Sequence, residues 1–518
     1  MRFLSNDQWS DEDRAKLEGK GRPALVINKM TNIVISVSGL QRRSRQDIDV
    51  VPVEPEDVLG AEYMEAFVKH VRDRNRMRAV SSDVFLKKIA SGIGFWKLSY
   101  DFSERPQGEI ACEDIDPLTV IWDPNWPRAD WERAEWVMHA EWYSMDQAIE
   151  DWPEYEADIR SKFGEWTSPA MYGSGAQLGD SEATRRHFWD AQTQRIRIIQ
   201  VWYKTLQPVK LAVFADGEIE YDPAIIDALE TALEHDETLK EQLVVVTRPM
   251  RHVRMAHMLD NVLLDDRKTP YPFQEFPIFP ALGYYFWDSP LGMCDLMKDP
   301  QREKNKRRTA ITEIAGRTAH SGFFNKRDTG ADPAELENYA SGSGVVINYE
   351  IDIPKPIEPP EIPQVLVYLE NKADNEIAES VNYNAELMGQ RTNSKTVSGK
   401  AVEARQQGGL VSQEVFFDSF AEEESNMTKY MIEMIKDVIT PEEALRILGG
   451  RVATPEDMQT VVRVLSHAFN TKYDVRITNK PFSATQAMYA VTQFMDMLKS
   501  GVPVPPTILV KAMMDAGM

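Results

Sequence analysis

Ser289-Pro-Leu-Gly-Met-Cys-Asp-Leu-Met-Lys298-Asp-Pro-Gln301-Arg-Glu-Lys-Asn-Lys-Arg-Arg308 opens like a helix, with Ser289 as an N-cap and Pro290 in the first turn, and the helical pattern runs to about Ala319. Its middle, Gln301 to Arg308, is polar on every face, which suits a helix that lines a channel or bridges subunits better than one in an isolated globule. From Lys298 to Arg327 nine basic and three acidic residues give a net charge of +6, against −23 for the whole chain. A solvated helix face is the ordinary explanation for one such charge run.

Working outward, residues 321–362 read as a short α/β insert. It holds Phe323-Phe324, a turn at Asp328-Thr-Gly330, a small helix near Pro333–Tyr339, a strand Val345–Ile347 and a proline-rich exit. A second helix is expected from Pro363 to about Met388, with an apolar stripe at Leu366, Leu369, Ala373, Ile377 and Val381 and a length of about 39 Å. Between Gly389 and Gly399 the sequence is small and polar, a loop by composition. A very long helical pattern follows, Lys400 to Ile439, with a kink expected at Gly408-Gly409 and a stripe at Phe416, Phe420, Met427, Met431, Met434 and Val438. Thr440-Pro-Glu-Glu starts another helix, and a strand Tyr473–Ile477 and helices near Ser483–Lys499 and Pro506–Ala516 complete the tail.

The first 288 residues read as mixed α+β. One helix is expected from Arg22 to about Gln46, then a strand Ile48–Val53, a helix Glu56 to Ser91, and strands Phe95–Phe102 and Glu109–Ile115. Further strands are expected at Ala134–Trp142, Arg195–Tyr203, Val209–Ala215, Leu243–Arg251 and Val253–Leu259. The proline-aromatic stretch Pro270 to Pro280 can be neither helix nor central strand and reads as a connector packed on something apolar.

The chain is 518 residues long, enough for three or four structural units with large cores, and its 42% hydrophobic content is ordinary for a globular protein. Eighty-two acids against fifty-nine Lys and Arg exclude a general nucleic-acid coat. Two distant cysteines, Cys112 and Cys294, support neither a disulfide framework nor a cysteine zinc site, and point to a reducing compartment. No signal-peptide or membrane-spanning run occurs, so a soluble intracellular protein without membrane contact is expected.

No catalytic constellation stands out. Eight histidines are single, and His252 and His257 lack metal-pair spacing. The nearest approach to a phosphate loop, Gly389 to Ala401, has Ser394 where a glycine is needed and Ala401 where a Ser or Thr should hold magnesium. Asp265-Asp266 reads as a solvated turn. Asp114, Asp116 and Asp123 have the alternate placement of a magnesium site, though Asp-Pro turns explain them more simply. No enzyme, metal or cofactor is expected. The alternatives retained are a magnesium-dependent nucleic-acid-processing enzyme and a soluble helical scaffold.

Several weak signatures recur in order: Gln8-Trp9; Gly21-Arg22-Pro23 through Asn28; Gly39-Leu-Gln41; Asp116-Pro117 and Asp123-Pro124; Tyr271 through Pro277; Ser289-Pro290-Leu-Gly292; Lys298-Asp-Pro-Gln301 with Asn305; and Ser398-Gly-Lys-Ala401. In this order the chain resembles the portal proteins of tailed bacteriophages, of the short-tailed (podovirus) type. The resemblance implies an α+β, helix-rich portal fold. Its parts would be a mixed wing at 1–288, stem helices at 289–320 and 363–388, a clip at 321–362, a channel (tunnel) loop at 389–399, a long kinked wing helix within 400–448 and a helical crown at 449–518.

It also implies a ring, usually dodecameric in the family, at the capsid vertex of the virion, assembled in the host cytoplasm. That ring would be a head-to-tail connector passing double-stranded DNA during genome packaging and ejection, with terminase, tail adaptor and capsid or scaffolding proteins as partners. Arg391, Lys395 and Lys400 are the expected channel contacts. Lys298, Arg302, Lys304, Arg307, Arg308, Lys326 and Arg327 form a stem and clip basic cluster, facing either DNA or a neighbouring subunit. The extended helical barrel of some short-tailed-phage portals is expected to be absent, since the sequence stops at Met518.

Overall fold

In the computed structural model the residues described are 3–43, 47–52, 58–125, 133–167, 243–286, 289–319, 363–383, 399–449, 455–465 and 473–478. Residues 189–190, 193, 195–214 and 219–220, a few between 225 and 231, and the pairs 323–324 and 355–356 are described as well. The chain is a mixed α+β protein, and its largest core gathers around one helix, Gly399–Val438, forty residues long. This helix is continuous through Gly408 and Gly409, where a kink is expected. The expected stripe is what buries it. Phe416, Phe420, Met427, Met431 and Met434 are all buried, joined by Phe417 and Ile435. Phe420 meets Phe85 edge-on at 5.1 Å and Trp96 at 5.1 Å, while Phe417 stacks on Phe85 at 5.3 Å.

The helix expected over Glu56–Ser91 is two helices, Val58–Arg74 and Met77–Ser91. They part at Arg76, which takes a left-handed φ of 50°. Asn75 holds the break. Its amide donates to the Val71 and Ile110 carbonyls, and its side-chain oxygen accepts from the Cys112 N–H, fastening the turn to the strand Glu109–Ile115. That strand pairs with Ile93–Asp101, which in turn pairs with Ile278–Leu282. The last is an edge strand, which is why it tolerates Pro280. The connector before it packs on the core as expected, with Tyr271, Phe273 and Phe276 buried.

A second sheet has Arg195–Phe214 at its centre, between Trp136–Ser144 and Leu243–Leu259. The strand pairs expected at 195–215 and 243–259 are thus two long strands of 20 and 17 residues. Val120–Trp122 and Val262–Lys268 form its edges. The strand Val262–Lys268 replaces the solvated turn expected at Asp265-Asp266. Asp265 accepts from His257 Nδ1 at 2.6 Å and from the Trp152 indole, and Asp266 accepts from Tyr203 and Arg254.

Three expectations near the helical region are corrected. Ser289–Leu291 is a strand paired with Tyr284–Phe286, and the helix begins at Met293, where the Asp295 carboxylate accepts the Gly292 N–H. Pro300 lies inside this helix, Met293–Ala319. Its start is pressed onto the turn after Ser91: a Cβ on Gly292 would meet the Ala90 carbonyl at 2.5 Å, and one on Gly92, whose φ is 86°, would meet Leu291 backbone at 2.7 Å. The following helix is Gln364–Glu379, about 24 Å long rather than about 39 Å, ending in a turn with Asn382 left-handed. The first long helix is Met30–Arg43 only, because residues before it are held extended by side chains described below.

Thr440 caps Pro441–Leu448, and Pro455–Leu465 packs beside it on Val58–Arg74. Tyr473–Thr478 returns to pair with Asp47–Pro52, so this part of the C-terminal region is woven into the body. Within 321–362 only the pairing of Phe323–Phe324 with Lys355–Pro356 is described. The helix near 333–339, the strand at 345–347, the loop 389–398 and the helices at 483–499 and 506–516 lie outside the described residues.

Two glycines separate tolerance from constraint. Gly39 lies in the Met30–Arg43 helix with open space where a Cβ would go, so Gly39→Ala is expected to raise stability by about 0.8–1 kcal/mol in chemical denaturation. Gly292→Ala is expected to lower it, because the obstructing atom is backbone.

Candidate channel and assembly elements

The helices Met293–Ala319 and Gln364–Glu379 lie side by side and antiparallel, since Lys304 faces Asp374 while Arg308 faces Glu370. The polar run that no globular helix needs is divided between two neighbours. One side carries Gln301, Asn305 and Thr309, all buried. Gln301 reads the extended segment before Met30 like a strand partner, its amide donating to the Ile27 carbonyl at 2.7 Å and its oxygen accepting the Lys29 N–H at 3.1 Å. Asn305 accepts the Ile27 N–H at 3.1 Å and donates to Gln8 Oε1 at 2.6 Å. Gln8 donates to the Phe3 carbonyl, Trp9 to the Leu25 carbonyl, and Asn28 accepts the Thr31 N–H at the helix start. The signatures at Gln8-Trp9, Asn28, Gln301 and Asn305, up to 297 positions apart, therefore meet in one largely buried polar cluster. This satisfaction of side chains by backbone also explains why residues 22–29 are not helical.

The other side carries charge. Lys304 is only 3% exposed and is paired within the chain to Asp374, with Glu370 at 4.0 Å. Arg307 binds Glu303 and the Leu369 carbonyl. Arg308, half-exposed, reaches Glu370 at 3.2 Å. Lys298 pairs with Asp295, and the exposed Arg302 pairs with Asp299 and lies over the Phe3 ring at 5.0 Å. Lys306 was not singled out from the sequence, yet it is exposed and, among the described residues, makes no ion pair. Position within a helix of two buried faces is what distinguishes it from Lys304, and sequence spacing alone carries that signal poorly. Lys326, Arg327, Arg391 and Lys395 lie outside the described residues. Lys400 stands in the first turn of the Gly399–Val438 helix, with its side chain outside them.

Asp114, Asp116 and Asp123 each serve a local partner. Asp114 pairs with Lys87, Asp116 accepts the Leu118 N–H, and buried Asp123 accepts the Asn125 and Glu135 N–H groups. Among the described residues no group of three or more His, Cys, Asp or Glu is placed to hold a metal ion. Cys112 and Cys294 are both buried thiols, and burial pushes Cys294 up to about 11. Among the described residues no helix is long and apolar enough to cross a membrane.

Between the two larger sheets Lys97 is buried against Glu141, with Gln200 at 3.1 Å and His139 Nδ1 3.1 Å from Glu141. Burial alone raises the Glu141 carboxyl, but the hydrogen bond from His139 and the Lys97 charge outweigh it and hold the group well below its ordinary value.

A family model for the phage P22-like portal protein matches residues 1–516. The chain belongs to the P22-like portal protein family. It is therefore a tailed-phage portal protein, a structural component and head-to-tail connector, and the family places it at the capsid vertex of the virion. A search of curated proteins returns no match. In this portal protein the buried cluster ties the N-terminal segment to the helix Met293–Ala319.

Asn305→Ala leaves the Ile27 N–H without its acceptor and Gln8 Oε1 without its donor, while the Gln8 amide keeps the Phe3 carbonyl. The expected loss is about 1–3 kcal/mol, with early proteolytic cleavage within residues 3–29 as the local readout. Glu141 titrates lower when folded than when unfolded, so its contribution is fully present above the ordinary carboxylate range and is lost as pH falls toward its folded value. Glu141→Gln is expected to unfold less steeply with acid than the wild type, checked by fluorescence titration below pH of about 4.5.

Proposed function

We propose that this portal protein assembles as a closed ring, twelve copies in number, and forms the channel through which double-stranded DNA enters the capsid and leaves it. The observation that carries the reading is the family match along 1–516. The antiparallel helix pair supports it as the stem, with 321–362 as the clip joining the two helices, 389–399 as the channel loop, and 449–518 as the crown. Terminase docks at the clip during packaging and supplies the energy; tail adaptors take the same end afterwards. Capsid and scaffolding proteins contact the wing.

The charge pattern fits a conduit. A chain of −23 gives a ring whose walls repel phosphate, so DNA slides rather than sticks. Contacts are then confined to local cations, Arg391, Lys395 and Lys400 at the channel loop, and they read phosphate without reading sequence. On the stem the exposed cations Arg302 and Arg308, each paired within the chain, and Lys306, which makes no ion pair among the described residues, face outward for such contacts or for a neighbouring copy. Lys304 and Arg307, held within the helix pair, set its register instead. Lys326 and Arg327 belong with the clip.

Negative-stain imaging and native mass measurement are expected to show a ring, and a monomer under all assembly conditions would sink the reading. Lys395→Glu with Lys400→Glu is expected to leave rings intact while impairing packaging or retention of DNA. Normal genome filling by that variant would remove the loop from the channel.

A further inference from the structure

The seven-stranded sheet has two poles of opposite charge. Strands Arg195–Phe214 and Leu243–Leu259 continue past the end of Trp136–Ser144, which stops pairing at Tyr203. Beyond that point the two strands pair with each other and form a ribbon roughly 33 Å long. Across 204–214 and 243–253 the sequence has no Asp or Glu, in a chain with eighty-two acids. Arg248 and Arg251 are exposed on it and, among the described residues, make no ion pair. Leu206 is 68% exposed, Val244 57% and Met250 43%. Pro208 and Pro249 stand opposite each other in the ladder, and each removes a backbone donor, so the middle of the ribbon is poorly suited to strand addition; at its far end Ile219–Glu220 pairs with Ala212 and Val213.

At the other end of the nine-residue strand Trp136–Ser144, about 27 Å away, the chain turns into the helices Met145–Asp151 and Glu156–Thr167. Asp146, Glu150, Asp151, Glu154, Glu156 and Asp158 are all exposed there. Glu156 is matched by Arg160 at 2.7 Å, and nearby Lys162 is taken by Asp260 at 2.8 Å. Asp146, Glu150, Glu154 and Asp158 make no ion pair among the described residues.

Building on the ring reading, we propose that neighbouring copies meet head to tail, the basic ribbon of one on the acidic helical pole of the next. Setting ribbon against ribbon would oppose cation to cation, which disfavours that contact. A contact between unlike poles, made once with each neighbour, repeats in one direction, the kind of contact from which a closed ring is built when its rotation closes. The exposed Leu206 and Met250 favour a protein surface over DNA, because apolar side chains gain nothing from phosphate, whereas Arg and Met are enriched at protein interfaces.

Arg248→Glu with Arg251→Glu, both at exposed positions, is expected to fold normally by circular dichroism. It should form rings only at roughly tenfold higher protein concentration in analytical ultracentrifugation, with the shift shrinking in high salt. Glu150→Lys with Glu154→Lys is expected to weaken assembly similarly, and mixing the two variants to restore it at alternate contacts. Wild-type ring formation by the ribbon variant, or no recovery on mixing, would overturn the contact. So would intact rings that lose only DNA retention, which would assign the ribbon to DNA. Failure of the wild type to form any ring would instead remove the ring reading.

Discussion

Two adjacent carboxylates on the long helix, Glu423 and Glu424, anchor most of what surrounds them. Glu423 accepts from the fully buried Lys88 at 2.7 Å and from the Leu282 N–H at 2.8 Å, so it ties a helix and a sheet edge to one side chain. Glu424 accepts from Arg72 at 2.8 Å and from Ser81 at 2.7 Å, reaching both helices that flank the Asn75–Arg76 break. Buried ion pairs of this kind add little net stability over an apolar core, but removing one partner leaves a buried charge uncompensated. Their effect is on register. A stripe of Phe and Met accepts several rotations and slides of the helix, whereas four specific donors accept one.

That fixed helix is the base from which the helix pair is positioned. The close approach of Gly92, Gly283 and Gly292 brings the start of Met293–Ala319 against the body, with the Gly283 N–H donating to the Gly92 carbonyl at 2.7 Å. Gln301 and Asn305 then hold the N-terminal segment along one side, and the Lys304 and Arg308 pairs hold Gln364–Glu379 along the other. A helix that looked unsuited to a monomer is thus polar because both neighbours are recognised through hydrogen bonds and charge. Its outer surface, with Arg302 and Lys306, faces away from both neighbours.

Much of the architecture was legible from local pattern. The buried stripe of the long helix, the strand Glu109–Ile115, the Thr440 cap and the edge character of the proline-aromatic stretch all follow from spacing or from what proline forbids. The failures share a cause. Ser289-Pro290 has the chemistry of a helix start, yet Ser289–Leu291 is captured by Tyr284–Phe286 as a hairpin. The pattern across 56–91 is helical throughout, yet Asn75 is drawn to the backbone of a strand 35 positions away. Asp265 reads as a turn acid until His257 and Trp152 are brought beside it.

Composition and pattern established a large acidic α+β chain and its long helices, because apolar periodicity, proline and net charge act within a few residues or over the whole chain; its membership of the portal family rests on the family match along 1–516. Which cations are buried, which acids face each other and where helices end were settled by tertiary contact. Lys304 and Lys306 are two residues apart in one basic run, and a helix turns about 200° between them. That rotation, combined with the position of Asp374, puts one ammonium in the interior and leaves the other at the surface.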